Sequence, residues 1–312
     1  MIPTTDPHAV SSVAPTWPAT VTVVDVTPRD GLQDAAAFVP TARKLAFIEA
    51  LLDAGVRHIE ATSFVHPKWV PQLADADELA SKLPRRAGVV YSALTLNMRG
   101  YQRARVAGVD EIVMVISASE SHNRANLNRA IDESLAQMRE VAAEARKDGI
   151  TMRGGVATAF GCPFEGAVAP EAALRIARAY VEMGVSVVSL ADTIGVAQPR
   201  QVYELFTRLR AETPATIPLA AHFHDPRGYG LANVFAALQA GATTFDAAVG
   251  GLGGCPYAPG STGNLSTEAL LQFLEDLGFS TGISLDAMAQ ARAQILADIA
   301  SGEPVDTSHS IR

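Results

Sequence analysis

From Val21 onward the chain alternates between two hydrophobic rhythms. Short β-branched runs read as strands: Val21 to Val26, Val56 to Ala61, Val89 to Leu94, Glu111 to Ser117, Met152 to Thr158, Val185 to Leu190, Pro218 to Phe223 and Thr243 to Val249. Between them lie segments such as Thr41 to Ala54, Ile131 to Lys147 and Glu171 to Met183, rich in Ala, Leu, Glu and Arg at helical spacing. Several of these end at a glycine that leads straight into the next strand, as in Ala54-Gly55-Val56, Ala107-Gly108-Val109, Met183-Gly184-Val185 and Ala240-Gly241-Ala242. That is the left-handed helix stop expected where a helix turns back into a strand. Eight consecutive strand-helix units predict an α/β protein folded as a closed (β/α)8 TIM barrel. A doubly wound open sheet is the alternative, but the first strand runs into Thr27-Pro28-Arg29-Asp30-Gly31 instead of a phosphate-binding GxGxxG turn. The expected organisation is a flexible N-terminal tail over 1–20, a catalytic barrel over 21–283, and an extra helix with a tail over 284–312.

Composition narrows the class. With 312 residues and 48% hydrophobic content the chain can bury a large core. A net charge of -8 without a run of Lys or Arg argues against nucleic acid or an anionic membrane as partner, since both demand a basic face. An anionic small molecule can still be held by a few local cations. The two cysteines, Cys162 and Cys255, form neither a CxxC motif nor a disulfide framework, which fits a reduced, cytoplasmic setting. The first 20 residues lack the cationic start and apolar core of a secretory signal, and no apolar stretch is long enough to span a bilayer.

A barrel makes candidate chemistry testable by position, because catalytic groups belong at strand C-termini and in the loops that follow. Arg29 and Asp30 are expected at the end of strand one, Glu60 at the end of strand two, Asp192 and Thr193 after strand six, and His222 and His224 after strand seven. Beyond strand eight, the glycine- and proline-rich stretch Val249 to Asn264 cannot form a packed helix or strand, and reads as a shaped loop presenting Cys255 and Asn264. His222 and His224 are two apart in a strand, so their imidazoles share a face and can share a cation. Asp30, entering from strand one, completes a two-His-one-carboxylate set. With an Asn oxygen and open positions, that set suits octahedral Mg²⁺ or Mn²⁺ better than a closed zinc site. Arg29 can aim its guanidinium at charge developing on a substrate oxygen, or can be a salt-bridge partner of Asp30 or Glu60. Glu60 reads as a support that orients Arg29. Cys255 is either a proton donor or an inert buried thiol, Cys162 reads as structural, and Asp192 reads as a carboxylate behind the ligands.

Five stretches together carry a resemblance: Val24 to Gln33 (VDVTPRDGLQ), Glu60 to Gln72 (EATSFVHPKWVPQ), Ser189 to Gly195 (SLADTIG), His222 to Asp225 (HFHD) and the Cys255 loop. They resemble the 3-hydroxy-3-methylglutaryl-CoA lyases of the DRE-TIM metallolyases, from about Val21 to Leu285. RDGLQ and HxHD are shared with the Claisen-condensing synthases of that superfamily, whereas the loop cysteine is specific to the lyase branch. The resemblance implies that Asp30, His222, His224 and Asn264 bind the divalent cation, that Arg29 stabilises an enolate oxygen, and that Cys255 is the loop acid. It implies an acyl-CoA substrate and a homodimer. The base that removes the hydroxyl proton is His222 or Asp30.

Two stretches depart from that pattern. Gly155, in Arg153-Gly154-Gly155, stands where the resembling lyases carry a tyrosine, and His224-Asp225-Pro226-Arg227-Gly228-Tyr229-Gly230 replaces their HDTYGQA. The first reshapes the acyl pocket and the second adds a cation, Arg227, near the rim. A citramalyl-CoA lyase or a lyase for a bulkier 3-hydroxyglutaryl-CoA is therefore the alternative acyl specificity, and a Claisen-condensing acyltransferase the alternative reaction. Asn123, Arg124 and Asn126 are candidates for coenzyme A contacts beside their plain reading as a solvated helix start.

Overall fold

The computed structural model describes residues 17–253 and 263–301. Eight strands run β1 Thr22–Asp25, β2 His58–Ser63, β3 Val90–Leu94, β4 Glu111–Ser117, β5 Thr151–Ala157, β6 Val187–Asp192, β7 Leu219–Phe223 and β8 Ala242–Ala247. Each pairs in parallel with the next, and β1 pairs with β8, so the sheet closes into the expected (β/α)8 barrel. The helices are α1 Thr41–Asp53, α2 Ala76–Ser81, α3 Met98–Ala107, α4 Glu120–Leu127, α5 Ile131–Asp148, α6 Pro170–Met183, α7 Pro199–Glu212, α8 Gly230–Gln239, α9 Thr267–Asp276 and α10 Leu285–Ser301.

The strands are buried almost throughout, as parallel strands sheathed by helices must be. The helices supply the matching apolar stripe, for instance Phe47, Ile48 and Leu51 of α1, each fully buried. At the junctions read as helix stops, Gly55, Gly108, Gly184 and Gly241 all have positive φ (108°, 74°, 79° and 90°). The last helix joins the core through Met288, Ala291 and Ile295, and Arg43 donates to the Asp298 carbonyl at 2.7 Å. At the other end, Trp17 packs on Phe235 and Phe279 with ring centroids 5.5 and 6.2 Å away. No helix among the described residues is long and apolar enough to cross a membrane.

Two placements differ from the sequence reading. Arg29 and Asp30 do not end β1; they ride on a separate π-helical turn, Thr27–Gly31. Glu60 lies in the middle of β2, which continues to Ser63 as its pairing with β3 shifts register between Glu60 and Thr62.

Candidate active site

The π-helical turn exists because three successive amides, those of Arg29, Asp30 and Gly31, converge on the Val26 carbonyl at 3.2, 2.8 and 3.1 Å. Pro28 fits its first turn, where a missing N–H costs nothing. Thr27 anchors it by accepting from the Val249 amide at 2.8 Å, and Asp25 accepts from the Thr27 amide at 2.9 Å. The turn lifts Arg29 and Asp30 above the strand ends and aims them inward.

Two strands away, across β8, β7 carries His222, and the chain just beyond it bridges antiparallel to Asn264 through His224. The Leu265 amide donates to the Phe223 carbonyl at 3.0 Å and the Asp225 amide to the Gly263 carbonyl at 3.1 Å, which docks Asn264 on the rim. Gly253 has φ +104°, and a Cβ there would fall 2.5 Å from Asn264 Nδ2 and 2.7 Å from the Asp30 carbonyl. Only glycine lets these segments cross. Cys255 lies outside the described residues.

Asp30, His222 and His224 place one ligand atom each within 4.8 Å of one another, all buried. The two Nε2 atoms are 3.1 Å apart, and Asp30 Oδ2 lies 3.8 Å from that of His222 and 3.6 Å from that of His224. Adjacent ligands of an octahedral ion bound at 2.0–2.1 Å are about 3 Å apart, so one such ion could touch all three. Asn264 donates Nδ2–H to Asp30 Oδ2 at 2.8 Å and to the Leu252 carbonyl at 2.9 Å. Its Oδ1 is buried with no partner among the described residues, an oxygen awaiting a cation or donor. Around this cluster the carboxylates of Asp30, Glu60 and Asp246 face the guanidiniums of Arg29 and Arg153. A carboxylate, two imidazoles and an amide oxygen form a donor set that fits a hard divalent cation.

Arg29 gives Nε–H to Glu60 at 2.6 Å and pairs through Nη1 with Asp30, so both salt-bridge partners read from sequence are present. Gln33 Nε2 donates to the same Asp30 oxygen at 2.8 Å. Burial opposes charge on Asp30, but the Arg29 guanidinium and the two imidazoles outweigh it and hold the carboxyl well below the usual carboxylate range. For His222 burial acts against the imidazolium, and the hydrogen bond to Asp246 with the charges of Asp30 and Asp246 overcomes it, pushing its pKa up.

Asp192 lies near enough to His224 and His222 to feel their charge, but it spends its oxygens on its own loop. Its carboxylate accepts from the amides of Val196 and Ala197 at 3.0 and 2.8 Å, capping its own loop. The carboxylate behind the histidines is Asp246, which bonds His222 Nδ1 at 3.2 Å and takes Arg153 Nη2 at 2.7 Å on both oxygens. Sequence reasoning gave neither residue a role. The available signal was period-two register: Arg153 lies two before Gly155 on β5, and Asp246 is the acidic position of β8. Asn123 is spent on the Ser117 amide, the Arg129 carbonyl and Ser134, whereas Asn126 lines the cavity. Cys162 holds its own turn, accepting from the Phe164 and Glu165 amides at 3.3 and 3.4 Å.

These groups open onto a cavity of about 460 Å³ at the C-terminal ends of the strands. Its remaining floor is apolar, built by Leu94, Val113, Val115, Gly155, Ala157 and Ala191, and its mouth carries His66, Trp69, His122 and Arg129.

Residues 20–295 match the HMGL-like family. Hydroxymethylglutaryl-CoA lyase YngG of Bacillus subtilis is 45% identical over 88% of this chain and 92% of its own length. Hydroxymethylglutaryl-CoA lyase of Pseudomonas mevalonii is 46% identical over 89% and 92%. An HMG-CoA lyase structure from Acinetobacter baumannii, in complex with coenzyme A and 3-methylmalate, superimposes with a TM-score of 0.87 at 38% identity, covering 94% of this chain and 98% of that one.

Proposed function

The chain belongs to the HMGL-like family, and from that premise we propose that it is a carbon-carbon lyase that cleaves 3-hydroxy-3-methylglutaryl-CoA to acetyl-CoA and acetoacetate. The observation that carries the reading is the convergence of Asp30, His222 and His224 beside Arg29 in the wall of one cavity, with Asn264 docked on Asp30 and its Oδ1 unpartnered among the described residues.

Asp30, His222, His224 and Asn264 would hold Mg²⁺ or Mn²⁺. Such a cation supplies a Lewis acid that lowers the pKa of the substrate's tertiary hydroxyl and fixes its orientation. Asp30 and His222 are the two candidate bases for the hydroxyl proton: a carboxylate that gives one oxygen to the cation keeps the other, whereas His222 would accept a proton at Nε2 only when that nitrogen is off the cation. Collapse of the alkoxide to a ketone breaks the adjacent carbon-carbon bond, and its electron pair becomes the enolate of acetyl-CoA. Arg29 is set for that enolate: Glu60 and Asp30 fix Nε and Nη1, which orients the guanidinium plane and leaves Nη2 as the donor toward ligand. Glu60 thus supports Arg29, and Cys255 on its loop delivers the proton that completes acetyl-CoA.

A cytoplasmic homodimer forms part of the same proposal, the dimer being read by light scattering of the purified protein. Incubation with 3-hydroxy-3-methylglutaryl-CoA and Mg²⁺ should yield equimolar acetyl-CoA and acetoacetate. Gly155 in the cavity wall favours a second specificity, for citramalyl-CoA or a bulkier acyl group. Pyruvate from citramalyl-CoA in preference to acetoacetate would replace the first reading by the second.

A further inference from the structure

The two histidines are backed unequally. His222 turns Nδ1 to Asp246 at 3.2 Å, and Asp246 is held on both oxygens by Arg153 Nη2 at 2.7 Å, which also donates to Ser189 Oγ at 3.1 Å. His222, Asp246 and Arg153 are 9%, 5% and 2% exposed, so water does not compete. The Nδ1 of His224, by contrast, is buried and has no partner among the described residues.

We propose that Asp246, clamped by Arg153 from the opposite side of the barrel, is a positioning residue that fixes the ring plane and tautomer of His222. A guanidinium is donor-only, so both Asp246 oxygens act as acceptors and His222 must give them its Nδ1 proton. Its Nε2 lone pair is thereby turned, before any ligand arrives, toward Asp30 and the His224 ring. With that tautomer the 3.1 Å separation of the two Nε2 atoms is a hydrogen bond from His224 Nε2–H to His222 Nε2, and His224 Nδ1 is the nitrogen left without a proton. Carboxylates placed behind a histidine in this way set ligand orientation and basicity, and losing one commonly weakens metal binding by about 10- to 100-fold. The pair acts through His222 and touches no substrate.

The proposal rests on the reading of Asp30, His222 and His224 as cation ligands, and the test separates the two. Chelator-treated full-length protein is titrated calorimetrically with MnCl2 as wild type, as Asp246→Asn, and as the double variant Arg153→Met, Asp246→Leu. The double variant removes both buried charges and leaves neither unpaired. Alongside, ring ¹⁵N shifts of His222 are measured in the metal-free state. The expected result is wild-type His222 protonated on Nδ1, and at least tenfold weaker Mn²⁺ binding in whichever variant keeps the wild-type metal-free melting temperature within a few degrees. A folded variant that binds Mn²⁺ less than tenfold more weakly overturns the positioning role. So does a wild-type His222 protonated on Nε2 alone, whatever the variants do. If wild-type protein binds no Mn²⁺, the cation reading falls, while the Nδ1 measurement still decides the tautomer.

Discussion

The two halves of the cavity wall are built by the same strand-helix repeat and carry opposite chemistry. The side formed by β7, β8, β1 and β2 presents His222, Asp246, Arg29 with Asp30, and Glu60. The side formed by β3 to β6 presents Leu94, Val113, Val115, Gly155, Ala157 and Ala191, with Arg153 as the exception that reaches across to Asp246. In the first half each charge is held by another, so the network is rigid, and removing one member exposes the rest to an uncompensated field. In the second half, Arg153 apart, the strand positions facing the cavity floor are mostly small or apolar and the constraint is volume. Reaction type and acyl fit therefore reside on different strands, and substitutions should separate them.

The hardest test of the charged half is removal of its cation. Chelator-treated protein should lose lyase activity to background and regain it with Mg²⁺ or Mn²⁺, with metal content verified on the same samples. Full turnover after verified removal would leave the Asp30, His222 and His224 cluster without a catalytic part. Next in size is Arg29→Gln. Removing one preorganised donor toward developing charge commonly costs on the order of a hundredfold or more in turnover. The variant should fold, retain Mn²⁺ and lose most of its kcat. A change confined to KM would make Arg29 a binding residue.

A third test distinguishes scaffold from chemistry within the charged half. Asp25 is fully buried at the end of β1, accepting from the Thr27 amide and from Thr267 Oγ1 at 2.9 Å each, and it ties the π-helical turn to α9. Burial pushes its carboxyl from 3.8 up to about 6, against those hydrogen bonds. Between the two values the folded state binds more protons than the unfolded one, so stability falls as pH rises through that window and the loss is complete above it. The difference corresponds to roughly 3 kcal/mol. In urea unfolding, wild type should lose about that much relative to Asp25→Asn between about pH 4 and about pH 7.5. A stability difference flat with pH would show that Asp25 is ionised in the fold without penalty.

The barrel was legible because its signals are local and repeated: β-branched runs alternate with helical stripes through eight units and glycine stops mark several of the junctions, so an error of a few residues at one end leaves the topology intact. Finer placement was not. The π-helical turn depends on three amides sharing the Val26 carbonyl, and Pro28, which suits a first helical turn, is the one local sign of it. Glu60 falls mid-strand because β2 is lengthened by its irregular pairing with β3. The histidine pair could be read because two residues in one strand share a face. Asp246 went unread although its register on β8 was available, because its meaning comes from Arg153, 93 positions away in sequence. Asp192 drew attention by sitting in a motif, but its carboxylate is consumed by the turn that the motif builds.

The smallest expected effect belongs to the apolar half. A Cβ on Gly154 would strike the Tyr180 ring at 2.4 Å, so that residue faces the helix layer, and Gly155, next along β5, faces the cavity. A Cβ on Gly155 would meet Val115 Cγ2 at 3.1 Å, a contact that a small rotation of Val115 can relieve. Gly155→Tyr would then fill acyl space and add a hydroxyl without touching Asp30, His222, His224 or Asn264. Hydrophobic pocket changes of this kind discriminate substrates by about 1–3 kcal/mol. We expect kcat/KM to shift about tenfold toward 3-hydroxy-3-methylglutaryl-CoA and away from citramalyl-CoA or bulkier analogues, with Mn²⁺ affinity unchanged. Gly155→Ala, which adds only the Cβ, controls for strain against Val115. If the tyrosine variant keeps the wild-type preference, position 155 does not shape the acyl pocket. If it loses Mn²⁺ affinity instead, the two halves of the wall are coupled and the separation of reaction from fit fails.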